Sequence, residues 1–190
     1  MIPIATVIGS NSHLEYVARL KNKDLDRTGQ APGLGDFVEI ISGEMTAVGV
    51  VFDTRIFTPE IAGTGQRIGA QPAFGLAVGE TGGEKGHLLG ILVVGFRPGE
   101  NEPYEQQPPR FVLPHGSAVR LMSEAHFREF HSGEGGVRVT YASRVLKHAG
   151  MLGQPLMRSI IGRLTESFGE DLAPALALIG RSIAWRDSGI

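Results

Sequence analysis

The chain's 190 residues include no cysteine. That absence excludes a disulfide framework and any thiolate-bound zinc, and it is the usage expected of a reducing compartment. Long apolar runs are also missing. No stretch approaches the roughly 18 unbroken apolar residues that span a bilayer, and the short apolar start MIPIATVIGS lacks the basic region of a signal peptide. A cytoplasmic protein with no membrane association is the expectation. Charge of one sign is scarce as well: the net charge is −2. Residues 1–109 hold 8 basic and 13 acidic groups, and residues 110–190 hold 10 and 7, which is no basic tract of the kind that advertises nucleic acid.

Working phosphate loops are lacking, although one segment imitates them. GETGGEKG (79–86) has four glycines and a lysine. A P-loop requires G-x-x-x-x-G-K-[ST], and counting from Gly79 the second glycine position is Glu84, while Gly86 replaces the magnesium-binding hydroxyl. The segment that follows reads as a strand, where a phosphate loop needs a helix N-terminus. GTGQRIG (63–69) fails as a dinucleotide loop because Gly69 falls one place late. No nucleotide, metal or other cofactor is therefore expected.

Catalytic patterns are thin too. There is no G-x-S-x-G elbow and no H-E-x-x-H. The six histidines (13, 87, 115, 126, 131 and 148) are scattered. His126 and His131 lie five apart, which on a helix separates them by roughly 140°. His115 stands near Ser117 in a turn, and acid pairs such as Asp24 with Asp26 sit in polar segments that would not displace their pKa values. Reading against an enzyme follows, with a site assembled from His87, His115 and nearby carboxylates as the remaining catalytic alternative.

What the sequence does contain is an alternation of strands followed by helices. Apolar residues make up 42% of the chain, enough for a sizeable core. IPIATVI (2–8), HLEYVARL (13–20), DFVEIIS (36–42), MTAVGVVFD (45–53) and HLLGILVVGF (87–96) read as strands with close turns. RPGENEPYEQQPP (97–109) has no core-forming pattern and reads as a solvated excursion. SAVRLM (117–122) returns a sixth strand. The fold predicted is mainly β with α: a small six-stranded closed or partly open barrel over 1–122, carrying a long loop at 97–116, then a helical region over 123–190.

In that region Ser123 is placed to cap a helix bearing Phe127 and Phe130 on one face. QPLMRSIIGRLTESFG (154–169) has Pro155 in its first turn and Leu156, Ile160, Leu164 and Phe168 at helical spacing. DLAPALALIGRSIAW (171–185) repeats the pattern with Leu172, Leu176, Ile179 and Ile183. The two predict an αα-hairpin. Its stripe of Leu156, Ile160, Leu164, Leu172, Leu176 and Ile179 is a candidate partner interface, or else the completion of the monomer's core.

Several of these stretches together resemble the HAS-barrel, the barrel shared by HerA-type DNA translocases and the ATP synthase α and β subunits. IATVIGSNSHLEYVARL is similar to its first hairpin, PGLGDFVEI to its next strand, AVGVVFDTRIF and LGILVVGF to later strands, and LPHGSAVRLMSEAHFREF to the closing segment and short helix of translocase barrels. The likeness covers residues 2–130. It implies a barrel without catalytic residues that serves ring assembly and partner docking. In the family a RecA-like motor with a P-loop follows; here sixty residues without a phosphate loop follow Phe130, so no ATPase activity carries over. The function expected is a non-catalytic assembly or adaptor protein with a protein partner or a second copy of itself. The alternative is an accessory factor of a DNA-processing translocase or nuclease complex, meeting nucleic acid only through that complex.

Overall fold

Residues 36–57 show why the barrel forms. The alternation Phe37, Val38, Glu39, Ile40 sends successive side chains to opposite faces of an extended strand, and Gly43-Glu44 folds the next apolar run back upon it. The computed structural model describes residues 2–20, 32–57 and 86–169. Its strands are β1 (Ala5–Ser10), β2 (Glu15–Leu20), β3 (Phe37–Ser42), β4 (Met45–Phe57), β5 (Gly86–Arg97) and β6 (Ala118–Leu121). They close a barrel in the order β1-β2-β5-β4-β3-β6, every neighbouring pair antiparallel. Register shifts in the β4–β5 pair, at Val48/Gly49 and Val51/Asp53, add the local twist that bends these long strands around the barrel.

The strands are buried on both faces where helices cover them, and this produces two apolar clusters. Val7, Tyr16, Val38, Ile40, Val51, Leu89, Ile91, Val93 and Val119 belong to one, within the barrel. The second lies between the outer surface of β3, β4 and β5 and the helical region; there Phe37, Val48, Val50, Leu92 and Val94 meet Phe127, Phe130, Tyr141, Val145, Leu156, Met157, Ile160 and Leu164. Barrel and helices thus share a core.

The helical layer contains α1 (Glu124–His131), a two-stranded hairpin of β7 (Ser132–Gly133) and β8 (Gly136–Val137), α2 (Ala142–His148), a 3-10 turn (Gly150–Leu152) and α3 (Gly153–Phe168). Ser123 Oγ accepts from the His126 backbone N–H at 3.1 Å, which caps α1 as the sequence implies. α3 ends at Gly169 with φ +65°. Close approach sets one further requirement: a Cβ on Gly95 would overlap the Phe130 ring and the Glu105 carbonyl, so only glycine lets α1 settle onto β5.

One expectation changes. The expected solvated excursion over 97–109 is partly core. Glu105 bridges Phe96 in antiparallel fashion, Tyr104 is 3% exposed and Gln106 5%. Single-residue polarity hides this, because Tyr104 buries its ring while its hydroxyl finds an acceptor, and the Gln106 amide fully replaces its hydration with protein partners. Among the described residues α3 packs against α2 and α1; the second helix of the expected hairpin, 171–185, lies outside the described residues, as does most of GETGGEKG.

Ile160 is fully enclosed in the shared core, so Ile160→Ala should cost about 2–4 kcal/mol through lost burial and the cavity left behind. Urea unfolding would show this as a lower midpoint at an unchanged slope.

Candidate functional site

A buried carboxylate is built into the barrel on β3. Phe37 points into the helix-facing cluster and Val38 and Ile40 into the barrel, so Glu39 necessarily faces the helices. Its side chain is 0% exposed. Oε1 accepts from the Tyr104 hydroxyl at 2.7 Å and from His126 Nδ1 at 2.8 Å, and Oε2 accepts from Arg120 Nε at 2.7 Å. Register explains Arg120, which stands directly opposite Glu39 on β6; α1 delivers His126. Burial alone pushes the Glu39 carboxyl upward, but the Tyr104 and Arg120 hydrogen bonds and the charges of Arg120 and His126 outweigh it and hold the group below its usual range. The same contact, added to burial, raises the Tyr104 hydroxyl far above the ordinary tyrosine value. An ionised carboxylate can only accept, so His126 Nδ1 carries the proton.

A second buried polar pair lies deeper. His131 Nδ1 donates to the Phe127 carbonyl at 2.8 Å, which leaves Nε2 to accept from the Tyr141 hydroxyl at 2.7 Å. Burial drives the His131 imidazole down to about 4 and the Tyr141 hydroxyl well up. His131 is neutral and structural. The angular separation of His126 and His131 on α1 appears here as two destinations, one at the barrel carboxylate and one in the aromatic cluster with Phe37, Phe127 and Phe130.

On the surface, a cleft of about 500 Å³ is lined by Gly35, Asp36, Glu124, Ser159, Gly162, Arg163, Glu166 and Ser167. It lies where the turn before β3 meets the start of α1 and the outer side of α3. Arg163 spreads its guanidinium over the Phe127 ring, 4.4 Å from the centroid, with Asp36 at 3.8 Å. The Ser167 and Arg128 contacts hold the Glu124 carboxyl below its usual range.

The residues singled out from sequence are distributed differently. Leu156, Ile160 and Leu164 are each 0% exposed and pack into the shared core of helices and barrel. Leu172, Leu176 and Ile179 lie outside the described residues. His87 begins β5 and His115 precedes β6; since these strands run in opposite directions around the barrel, the two histidines stand at opposite ends and do not converge. Ser117 Oγ donates to the Pro114 carbonyl rather than engaging His115. Sequence reading missed Glu39. Its signal was a lone carboxylate inside the apolar strand FVEII, with an arginine at the centre of AVRL to face it.

Among the described residues, no group of three or more histidine, aspartate or glutamate side chains is disposed to hold a metal ion, and no helix is long and apolar enough to cross a membrane. The fold and its polar centre define a class: a closed six-stranded antiparallel barrel clasped to a helical layer by a buried, triply hydrogen-bonded carboxylate. The chain belongs to the family described as Domain of unknown function (DUF8166), whose model matches residues 1–190. A comparison with curated proteins finds no match.

Two stability measurements probe these pairs. Glu39→Gln removes the charge that Arg120 and His126 share, at an expected cost of about 2–4 kcal/mol by chemical denaturation near neutral pH. His131 takes a proton at 6.5 in the unfolded chain but only at about 4 in the fold, so between these values the unfolded state binds more protons and stability falls with acidification. The loss reaches about 3 kcal/mol once pH is below both values. His131→Gln should flatten that slope, and a denaturation series from pH 7 to pH 4 checks it.

Proposed function

We infer that this protein is a non-catalytic assembly or adaptor component, a HAS-like barrel with a helical layer that docks a protein partner or a second copy of itself in the cytoplasm. The observation that supports this reading most directly is the surface cleft. It opens on a body whose barrel and helices share a core, which gives a docking groove fixed walls. Its lining of three carboxylates, one guanidinium, two serines and two glycines suits the capture of a partner's polar side chain. Gly162 strengthens the reading. It sits within α3, where glycine costs about 1 kcal/mol relative to alanine, and nothing lies within 4 Å of the position a Cβ would take. A helix-weakening residue on the floor of an open cleft leaves room for close approach of another chain.

The docking role also accords with how the strongly perturbed groups are used. Glu39, Tyr104, His131 and Tyr141 all hold the layers together, and their hydrogen-bonding groups are engaged by neighbours within the fold. What the molecule offers outward is shape and surface charge.

The reading separates cleanly by substitution at Gly162. Gly162→Ala should stabilise the fold by about 0.5–1 kcal/mol and retain any complex. Gly162→Tyr should fill the cleft, leave the fold intact and abolish the complex. Purification of the native protein from its own cell, followed by intact mass measurement, gives the readout. A strict monomer in that preparation, or a complex that survives Gly162→Tyr, would overturn the docking role.

A further inference from the structure

Three arginines surround one short extended segment and, among the described residues, have no acidic partner. Glu105 exchanges both backbone hydrogen bonds with Phe96, so the carbonyls of Tyr104 and Gln106 point to the opposite edge, about 7 Å apart as alternate residues of an extended chain. Arg138 Nη2 donates to the Tyr104 carbonyl at 3.4 Å. Arg144 Nη2 donates to the Gln106 carbonyl at 2.7 Å and to the Val94 carbonyl at 2.9 Å. Thr140 joins them, its Oγ1 on the Gln106 side chain at 3.1 Å. Behind this edge Arg97 lies across the Tyr104 ring at 4.7 Å from the centroid and is 8% exposed.

The electrostatics of this group are incomplete. Among the described residues the ion pairs include none made by Arg97, Arg138 or Arg144. Glu100, Glu102 and Glu105 follow Arg97 and Glu129 and Glu134 precede Arg138 in sequence; all five are exposed, and none pairs with these guanidiniums. The Nε of each of the three arginines is buried without an acceptor. Water has therefore been stripped from part of each guanidinium and not replaced, while backbone carbonyl dipoles answer only one edge of Arg138 and Arg144. Among the described residues Nη1 of Arg138 and of Arg144 has no acceptor. Burial holds the Arg144 guanidinium below its ordinary pKa, in keeping with a charge that lacks compensation.

We propose that Arg138 and Arg144, with Thr140 beside them and Arg97 behind, form a binding site for an oxyanion of the phosphate class. The planar guanidinium presents donors in a fixed fork that matches phosphate oxygens. Two charge-assisted bonds of about 2.8 Å each, plus the width of a phosphate group, bridge side chains anchored on neighbouring carbonyls of one edge. The field of an incompletely solvated guanidinium is screened less than that of a fully hydrated one, so the anion gains more here than at an ordinary surface arginine. The site does not depend on the docking role, which is carried by different residues.

The test uses the full chain, with inorganic phosphate as one probe and a fluorescein-labelled DNA duplex two helical turns long as the other. Calorimetric titration with phosphate, at ionic strength matched with sodium chloride, should saturate at one site and raise the thermal midpoint more than chloride does. Arg138→Gln and Arg144→Gln should each weaken phosphate by about tenfold or more, while Arg158→Gln, exposed on α3, leaves it unchanged. Arg144 also supports two carbonyls; if its variant fails to fold by circular dichroism, Arg138→Gln decides. Duplex binding that is displaced by phosphate, weakens steeply with salt and fails in the same variants assigns the anion to a nucleic-acid backbone. Phosphate binding without duplex binding assigns it to a free or ester phosphate. No phosphate effect beyond that of chloride together with no duplex binding, or binding retained in the folded arginine variants, overturns the site.

Discussion

A carboxylate with no access to water is costly unless every lone pair that matters finds a donor. Glu39 meets that condition with three donors from three parts of the chain: Tyr104 from the connection after β5, Arg120 from β6 and His126 from α1. Because these bonds are short and converge on one group, none of the contributing segments can shift without exposing a buried charge. The closing strand, the first helix and the long connection are thereby fixed to the same point on the barrel wall. Apolar contact between the layers supplies most of the stabilisation, but it is non-directional; the carboxylate supplies the register.

Around that point the layers follow simple rules. β3, β4 and β5 alternate between the barrel interior and the helix-facing surface, and both sets are apolar, which is why these strands read as near-continuous hydrophobic runs rather than as alternating ones. Further polar contacts tie the helices down at their far side. Arg144 reaches the Val94 carbonyl left free beside the β5 irregularity, and His148 meets Glu15 on β2 at 3.2 Å. Gln106 acts as a clip, donating to the Phe130 and Arg138 carbonyls and accepting from Thr140. The connection between β5 and β6 is thus a structural element, although it has almost no secondary structure of its own.

These interactions divide the molecule's polar groups by purpose. Those at Glu39 and His131 are saturated by the fold and serve its geometry. Those lining the cleft by Gly162 face the surface, where we propose that another chain docks. The arginines on the Tyr104–Gln106 edge fall in neither set, since the protein desolvates them without neutralising them, and that imbalance distinguishes a ligand site from a structural one.

The barrel strands, the Ser123 cap, the Pro155 start and the Gly169 stop of α3 were legible in the amino-acid order, because each rests on a local preference: β-branched apolar runs between close turns, a hydroxyl at an N-cap, a fixed φ, a positive φ. What only the tertiary structure decided was the partner of each surface. Leu156, Ile160 and Leu164 advertise an apolar stripe equally well for a second protein or for the rest of the chain, and in the fold they lie fully buried in the cluster shared by helices and barrel. Glu39, Tyr104, Arg120 and His126 span 87 positions of the chain, and no periodicity connects them. Such a cluster exists only once a closed sheet has set β6 against β3 and a helix has been laid across both, since the favourable energy of a buried ion group arises from distances that folding alone creates.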